Sequence, residues 1–88
     1  MAKYSLRIKK SARKELESVA TKADRRRIVS RIQALADNPR PRDSQKLSGY
    51  ERYRVRQGNY RILYSIVDME LVVYVIKIGD RKDVYRLS

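Results

Sequence analysis

The chain has 88 residues, enough for one domain (1–88) with a modest core. It carries 22 Lys and Arg against 10 Asp and Glu, a formal charge of +12, which points to a polyanionic partner: nucleic acid, an anionic membrane surface or an acidic protein. It has neither cysteine nor histidine, which excludes disulfides, zinc–thiolate sites and the commonest general base and metal ligand; carboxylates are few and scattered, so no metal and no cofactor is expected.

Residues 4–8, Tyr-Ser-Leu-Arg-Ile, alternate apolar and polar and predict a strand. A helix follows, with Ala12, Leu16, Val19 and Ala20 on one face and Arg13, Lys14 and Glu17 away from it. Thr21 reads as the N-cap of a second helix, with Asp24 three residues later as an approximate capping box. That helix buries Ile28, Ile32, Leu35 and Ala36. Its N-terminal half carries Arg25, Arg26, Arg27 and Arg31, the wrong sign for the helix dipole, so something other than helix stability favours them. Asn38-Pro39-Arg40-Pro41 ends it, because neither proline can continue a helix.

Residues 38–50 are expected to form a polar, basic loop. From Arg52 the period changes to two, and Gly58-Asn59 is a good two-residue hairpin turn before a return strand from Tyr60 to Val67. Asp68-Met69-Glu70 turns the chain again. Leu71 to Ile78 is a nearly all-apolar strand, expected at the centre of the sheet. The polar tail from Gly79 holds a short strand around Val84 and Tyr85. The longest apolar run, Leu71 to Ile76, is far too short to span a membrane, and no hydrophobic signal region follows the basic N-terminus. A cytoplasmic protein is expected. The fold class is α+β, in the order β-α-α-β-β-β, with a helical hairpin packed on one face of a small, mostly antiparallel sheet.

The hairpin register has a chemical consequence. A two-residue loop at Gly58-Asn59 pairs Arg56 with Arg61, and paired side chains share a face. Arg54 shares it too, being two residues from Arg56. Three arginines therefore form one patch. Such a patch is useful if a phosphate sits on it; the pattern equally fits a solvated basic face. The segment Gly79 to Arg86, by pattern alone, is a charged chain end.

The segments Asp37-Asn38-Pro39-Arg40-Pro41, Lys46-Leu47-Ser48-Gly49-Tyr50, Tyr53-Arg54-Val55-Arg56, Tyr60-Arg61-Ile62-Leu63-Tyr64 and Ile78-Gly79-Asp80-Arg81-Lys82-Asp83-Val84-Tyr85-Arg86 together resemble the RelE/ParE toxin superfamily. The resemblance runs over nearly the whole chain, in order. Two branches follow from it: RelE-like mRNA interferases, which cleave mRNA in the ribosomal A site, and ParE-like toxins, which bind DNA gyrase and lack the ribonuclease residues. Carried over by position, the basic pair falls on Arg54 and Arg56 and the catalytic residues on Arg61, Arg81 and Tyr85; Lys46 and Lys82 are expected as further phosphate contacts beside these five. That full set favours the RelE-like branch. Some members of the family carry lysine where Arg54 and Arg56 stand, and many carry histidine where Asp80 stands.

The mechanism that the resemblance implies needs no metal. The ribose 2′-OH attacks the adjacent phosphate, and fixed arginines stabilise the charge gathering on its non-bridging oxygens. Arg61 is the first choice for that role. Tyr85 takes the 2′-OH proton or stacks on a base, and Arg81 stabilises the leaving 5′-oxygen. Asp80 or Asp83 is a fallback general base, since an arginine cannot lose its proton at ordinary pH. Implied partners are an acidic RelB-like antitoxin, the 30S A site of the ribosome and mRNA. Two other readings compete: a ParE-like gyrase inhibitor without nuclease activity, and a generic RNA-binding module using Tyr50, Tyr53, Tyr60 and Tyr64 as stacking surfaces. Those tyrosines, lying on or beside strands, read more simply as packing residues.

Overall fold

The computed structural model describes residues 3–47 and 51–80. Strand β1 (Ser5–Ile8) leads into helix α1 (Lys10–Glu17) and helix α2 (Lys22–Asp37), followed by strands β2 (Gln45–Leu47), β3 (Arg52–Gln57), β4 (Tyr60–Val67) and β5 (Val72–Asp80). The five strands form one sheet in the order β1-β5-β4-β3-β2. Among the described residues, only β1 and β5 run parallel; the other pairs are antiparallel. The expected α+β architecture is present, with one added strand. Gln45–Leu47 lies in the segment expected to be loop, and pairs with β3 at the sheet edge. The apolar final strand is interior but not central: β4 holds the middle position.

Helix α1 has eight residues and no side-chain cap at its start. A helix that short is marginal alone, so packing against β5 holds it in place. It stops at Glu17, earlier than the apolar spacing implied. Val19 is buried from the connecting turn, and Ala20 is exposed. Helix α2 starts as its sequence predicts, with the Thr21 hydroxyl accepting from the Asp24 N–H at 3.1 Å. The reciprocal half of the capping box is replaced by an ion pair, Asp24 to Arg27 at 3.6 Å.

The wrong-sign arginines of α2 find local partners. Arg25 donates to the Val19 carbonyl at 3.2 Å, covering the chain where α1 has ended. Arg31 pairs with Asp43 in the α2–β2 loop. These guanidiniums tie α2 to both of its flanking connections, which offsets their conflict with the dipole.

The core lies between the helices and one face of the sheet. Ala12, Val19, Ile28, Ile32 and Leu35 meet Tyr53, Val55, Ile62, Tyr64, Ile66, Val73, Val75 and Ile78 there. Each fully buried Ile or Val contributes about 1.5–3 kcal/mol. A register shift between Leu63 and Tyr64 bulges β5, so Leu63 faces Lys77 while Tyr64 faces Val75. Beyond Ile8, β1 no longer covers β5. Glu15 of α1 takes over that edge: its carboxylate accepts the Ile78 N–H at 3.1 Å and pairs with Lys77. Among the described residues, no helix is long and apolar enough to cross a membrane.

Candidate nucleic-acid site on the open sheet face

The hairpin closes as its turn residues require. Gly58 takes a positive φ of 61°, a conformation that costs an L side chain energy and glycine little. The resulting register pairs Arg56 with Arg61, Arg54 with Leu63 and Arg52 with Ser65. Core residues Tyr53, Val55, Ile62 and Tyr64 alternate with these and point to the helices. Arg52, Arg54, Arg56 and Arg61 therefore all lie on the face away from them.

The arginines of this patch differ in setting. Arg56 is exposed and Arg54 half-buried, but Arg61 is only 3% exposed. Across β5 its register partner is Gly79, so no side chain stands opposite it there. A guanidinium keeps its charge when buried. Arg61 thus holds a positive centre in surroundings where attraction for a phosphate is stronger than in bulk water. Arg56, Gly58, Asn59, Tyr60 and Arg61 line a small pocket of about 90 Å³ at the hairpin end.

Arg54 is held by a residue that the sequence did not single out. Gln45 stands opposite it on β2, and its side-chain oxygen accepts from the Arg54 guanidinium. Detecting Gln45 required knowing that β2 exists. Lys46, its neighbour, alternates to the other face. It pairs in register with Tyr53 and bonds Glu51 at 3.2 Å, so it does not join the patch. Asp80 stands opposite Tyr60, which alternates with Arg61. The strand geometry therefore places Asp80 across the sheet end from the arginines. It borders a separate pocket of about 320 Å³ with Lys14, Glu15, Ser18 and Tyr60. Arg81, Lys82, Asp83 and Tyr85 lie outside the described residues, as do Tyr50 and the strand expected around Val84.

A second polar cluster anchors the α2–β2 loop. Arg40 donates to both oxygens of Asp68, at 2.8 and 3.2 Å, to the Tyr53 hydroxyl at 3.0 Å and to Glu51 at 3.2 Å. Tyr4 completes it, donating to Asp68 at 2.7 Å. The Arg40 guanidinium also lies 5.3 Å from the centre of the Tyr53 ring, which stacks on Tyr64 at 5.8 Å. Arg40, then Tyr4, hold the Asp68 carboxyl at about 2, below the usual carboxylate range. Lys46, then Tyr53 and Arg40, lower that of Glu51. Tyr64 is fully buried and donates to the Pro39 carbonyl at 2.7 Å. Burial pushes its phenol up to about 12. Tyr53 and Tyr64 are thus packing and anchoring residues, as their strand positions suggested, and offer no stacking surface to a base.

Comparison with known proteins adds the lineage. The family model described as ParE toxin of type II toxin-antitoxin system, parDE, matches residues 6–85. A RelE-like toxin protein of Escherichia coli is 28% identical over 91 residues, covering 98% of this chain and 94% of its own. The RelE of an archaeal RelE–RelB complex from Pyrococcus horikoshii OT3 is 34% identical, with a TM-score of 0.81 over 90% of this chain and 96% of that one. A doubly substituted Escherichia coli RelE toxin, solved in the free state, is 27% identical, with a TM-score of 0.78 over 98% of this chain and 93% of that one.

Proposed function

Because this chain belongs to the RelE/ParE toxin superfamily, on its RelE-like branch, we propose that this toxin of a type II toxin–antitoxin system is a ribosome-dependent endoribonuclease that cuts mRNA in the A site and so stops translation in the cytoplasm. The observation that carries this reading is Arg61, buried beside Arg56 and Arg54 on an open sheet face.

The chemistry suits what an arginine site can do. The 2′-OH oxygen attacks phosphorus and the bond to the 5′-oxygen breaks, leaving a 2′,3′-cyclic phosphate and a 5′-hydroxyl. Negative charge gathers on the non-bridging oxygens on the way. Arg61, already fixed, stabilises that charge without reorganising, and Arg54 and Arg56 hold the flanking phosphates. Tyr85, as phenolate, accepts the 2′-OH proton, and Arg81 stabilises the departing 5′-oxygen, which takes a proton from solvent, in line with the resemblance; Lys82 adds a phosphate contact. Asp80 and Asp83 remain candidate bases. The position of Asp80 opposite Tyr60 sets it apart from the arginine patch, and that of Lys46 beside Glu51 makes Lys46 a weak phosphate contact. Such a sparse site depends on the ribosome to orient the mRNA, a contribution of up to roughly 7–11 kcal/mol.

The partner in the cell is an acidic RelB-like antitoxin; the related Pyrococcus horikoshii RelE was solved with RelB. Mapping mRNA 3′ ends on purified ribosomes tests the activity. The wild-type protein cuts within the A-site codon. Arg61→Ala lowers the rate by about 10²–10³, as for loss of one transition-state donor, with an unchanged circular-dichroism spectrum. Full cleavage by a folded Arg61→Ala protein overturns the assignment. The matching family model is that of the ParE toxins, which supports gyrase inhibition as the second reading. Loss of supercoiling by purified gyrase, with mRNA left intact, selects it instead.

A further inference from the structure

The end of β5 is held differently from the rest of the strand. From Val72 to Val75 it has a neighbour on each side, β1 on one and β4 on the other. At Val75 both supports change. β1 stops, since Ile8, its last residue, is the partner of Val75. On the other side Tyr64 faces Val75 while Leu63 faces Lys77, so Ile76 is an extra residue in β5. A bulge of this kind breaks the ladder locally and bends its strand. Pairing resumes beyond it as Leu63 with Lys77, Ile62 with Ile78, Arg61 with Gly79 and Tyr60 with Asp80.

That resumed register decides what stands opposite Arg61. With the bulge it is Gly79, which has no side chain. If the bulge were ironed out, Arg61 would face Ile78 instead. One residue more of slip in the other direction would set the Asp80 carboxylate against the guanidinium and cancel the charge offered to a phosphate. Packing holds the register through one side chain: of residues 77–80 only Ile78 is buried. Between this strand end and α1 lies the cavity of about 320 Å³.

The backbone carries a second hold. Peptide groups alternate along a strand between its two neighbours. The Val75 carbonyl points to the β1 side, where it accepts the Lys9 N–H at 2.9 Å. Counted in twos, the next N–H on that side would be that of Lys77. It is that of Ile78, three residues on, because the bulge has shifted the alternation, and it donates to Glu15 at 3.1 Å. Lys77 pairs with the other carboxylate oxygen, and the two side chains are only 27% and 20% exposed. The Glu15 acceptor therefore fits the bulged register and not the regular one.

We infer that Glu15 is a positioning residue for Arg61: by accepting the Ile78 N–H it holds the bulged register of β5 and keeps Gly79 opposite the guanidinium. This deepens the reading of Arg61 as the group that stabilises the transition state, and its catalytic consequence rests on that reading. Without the acceptor, the Ile78 N–H is an unpaired group at a sheet edge.

The test uses the full chain and compares Glu15→Leu, which fills the space without an acceptor, with Glu15→Gln, whose amide oxygen keeps one. Glu15→Ala takes the place of Glu15→Leu if the leucine variant does not fold. NMR of the free protein reads hydrogen exchange at the Ile78 amide and the cross-strand contact between Arg61 and Gly79. A-site cleavage on purified ribosomes reads the chemistry. In the wild type the amide is protected and the contact present. Glu15→Leu speeds exchange at Ile78 by about tenfold or more and weakens the contact. It lowers kcat by roughly ten- to a hundredfold, as for a misplaced group, and leaves KM unchanged, because ribosome binding draws on charge spread over the whole chain. Glu15→Gln behaves as wild type in every readout. Thr21→Ala, which removes the α2 cap far from β5, lowers stability but moves neither the contact nor kcat. Four outcomes overturn the inference: an unprotected Ile78 amide in the wild type; an Arg61–Gly79 contact that survives loss of the acceptor; equal effects of Glu15→Leu and Glu15→Gln; or a raised KM with kcat unchanged. If the wild-type protein makes no A-site cut, the cleavage reading falls, and the two NMR readouts still decide whether Glu15 positions Arg61.

Discussion

Tyr64 shows how one side chain can hold a loop that has no core of its own. Its ring stacks on Tyr53 and its hydroxyl reaches the Pro39 carbonyl. Tyr64→Phe keeps the ring and leaves that carbonyl without its donor, so denaturant unfolding should show a loss of about 1–2 kcal/mol. The phenol should stay protonated in ultraviolet absorbance titrations until the pH approaches 12. Leu71 predicts the opposite sign. Its backbone is left-handed, at φ 52°, which suits glycine, so Leu71→Gly should raise stability by about 0.5–1 kcal/mol in the same experiment. At this scale the turn Gly58-Asn59 announced the facing of Arg56 and Arg61, because a two-residue loop leaves one register. The burial of Arg61 was not legible. Its register partner is a glycine one strand away, and β4–β5 pairing leaves no mark in either strand's own sequence.

At the scale of elements, legibility followed the strength of the local signal. Helix α2 declared its start through Thr21 and its buried face through Ile28, Ile32, Leu35 and Ala36. Thr21→Ala should cost about 1 kcal/mol, read as a lower denaturation midpoint. Helix α1 was overextended, since Val19 and Ala20 keep the apolar spacing although the backbone has already turned. Strand β2 escaped notice because Gln45, Lys46 and Leu47 are too few to display a period of two. That omission mattered for the site. It hid Gln45, which holds Arg54, and it left Lys46 grouped with residues from which the pleat separates it. Gln45→Ala should weaken single-stranded RNA binding while leaving the hairpin intact, measurable as a change in dissociation constant with an unchanged amide spectrum around Gly58.

On the scale of the whole molecule, charge and chain path dominate. The Arg40–Asp68–Tyr4 cluster joins the α2–β2 loop, the β4–β5 turn and the residue leading into β1. The folded Asp68 carboxyl titrates at about 2, against an ordinary 3.8. Its stabilising contribution is therefore complete above about pH 4 and disappears as the pH falls through about 2. Asp68→Asn should flatten that part of an acid-unfolding curve. The parallel pairing of β1 with β5 has a different consequence, one of timing. Ser5 finds its partner only at Val72, so β1 must wait for β5. Closing so long a loop is slow, and it precedes any gain from the contacts it allows. Until β5 arrives, α1 lacks the strand it packs on and Arg61 lacks the gap at Gly79. A growing chain of this protein thus carries its arginines without the frame that aims them until β5 has been made.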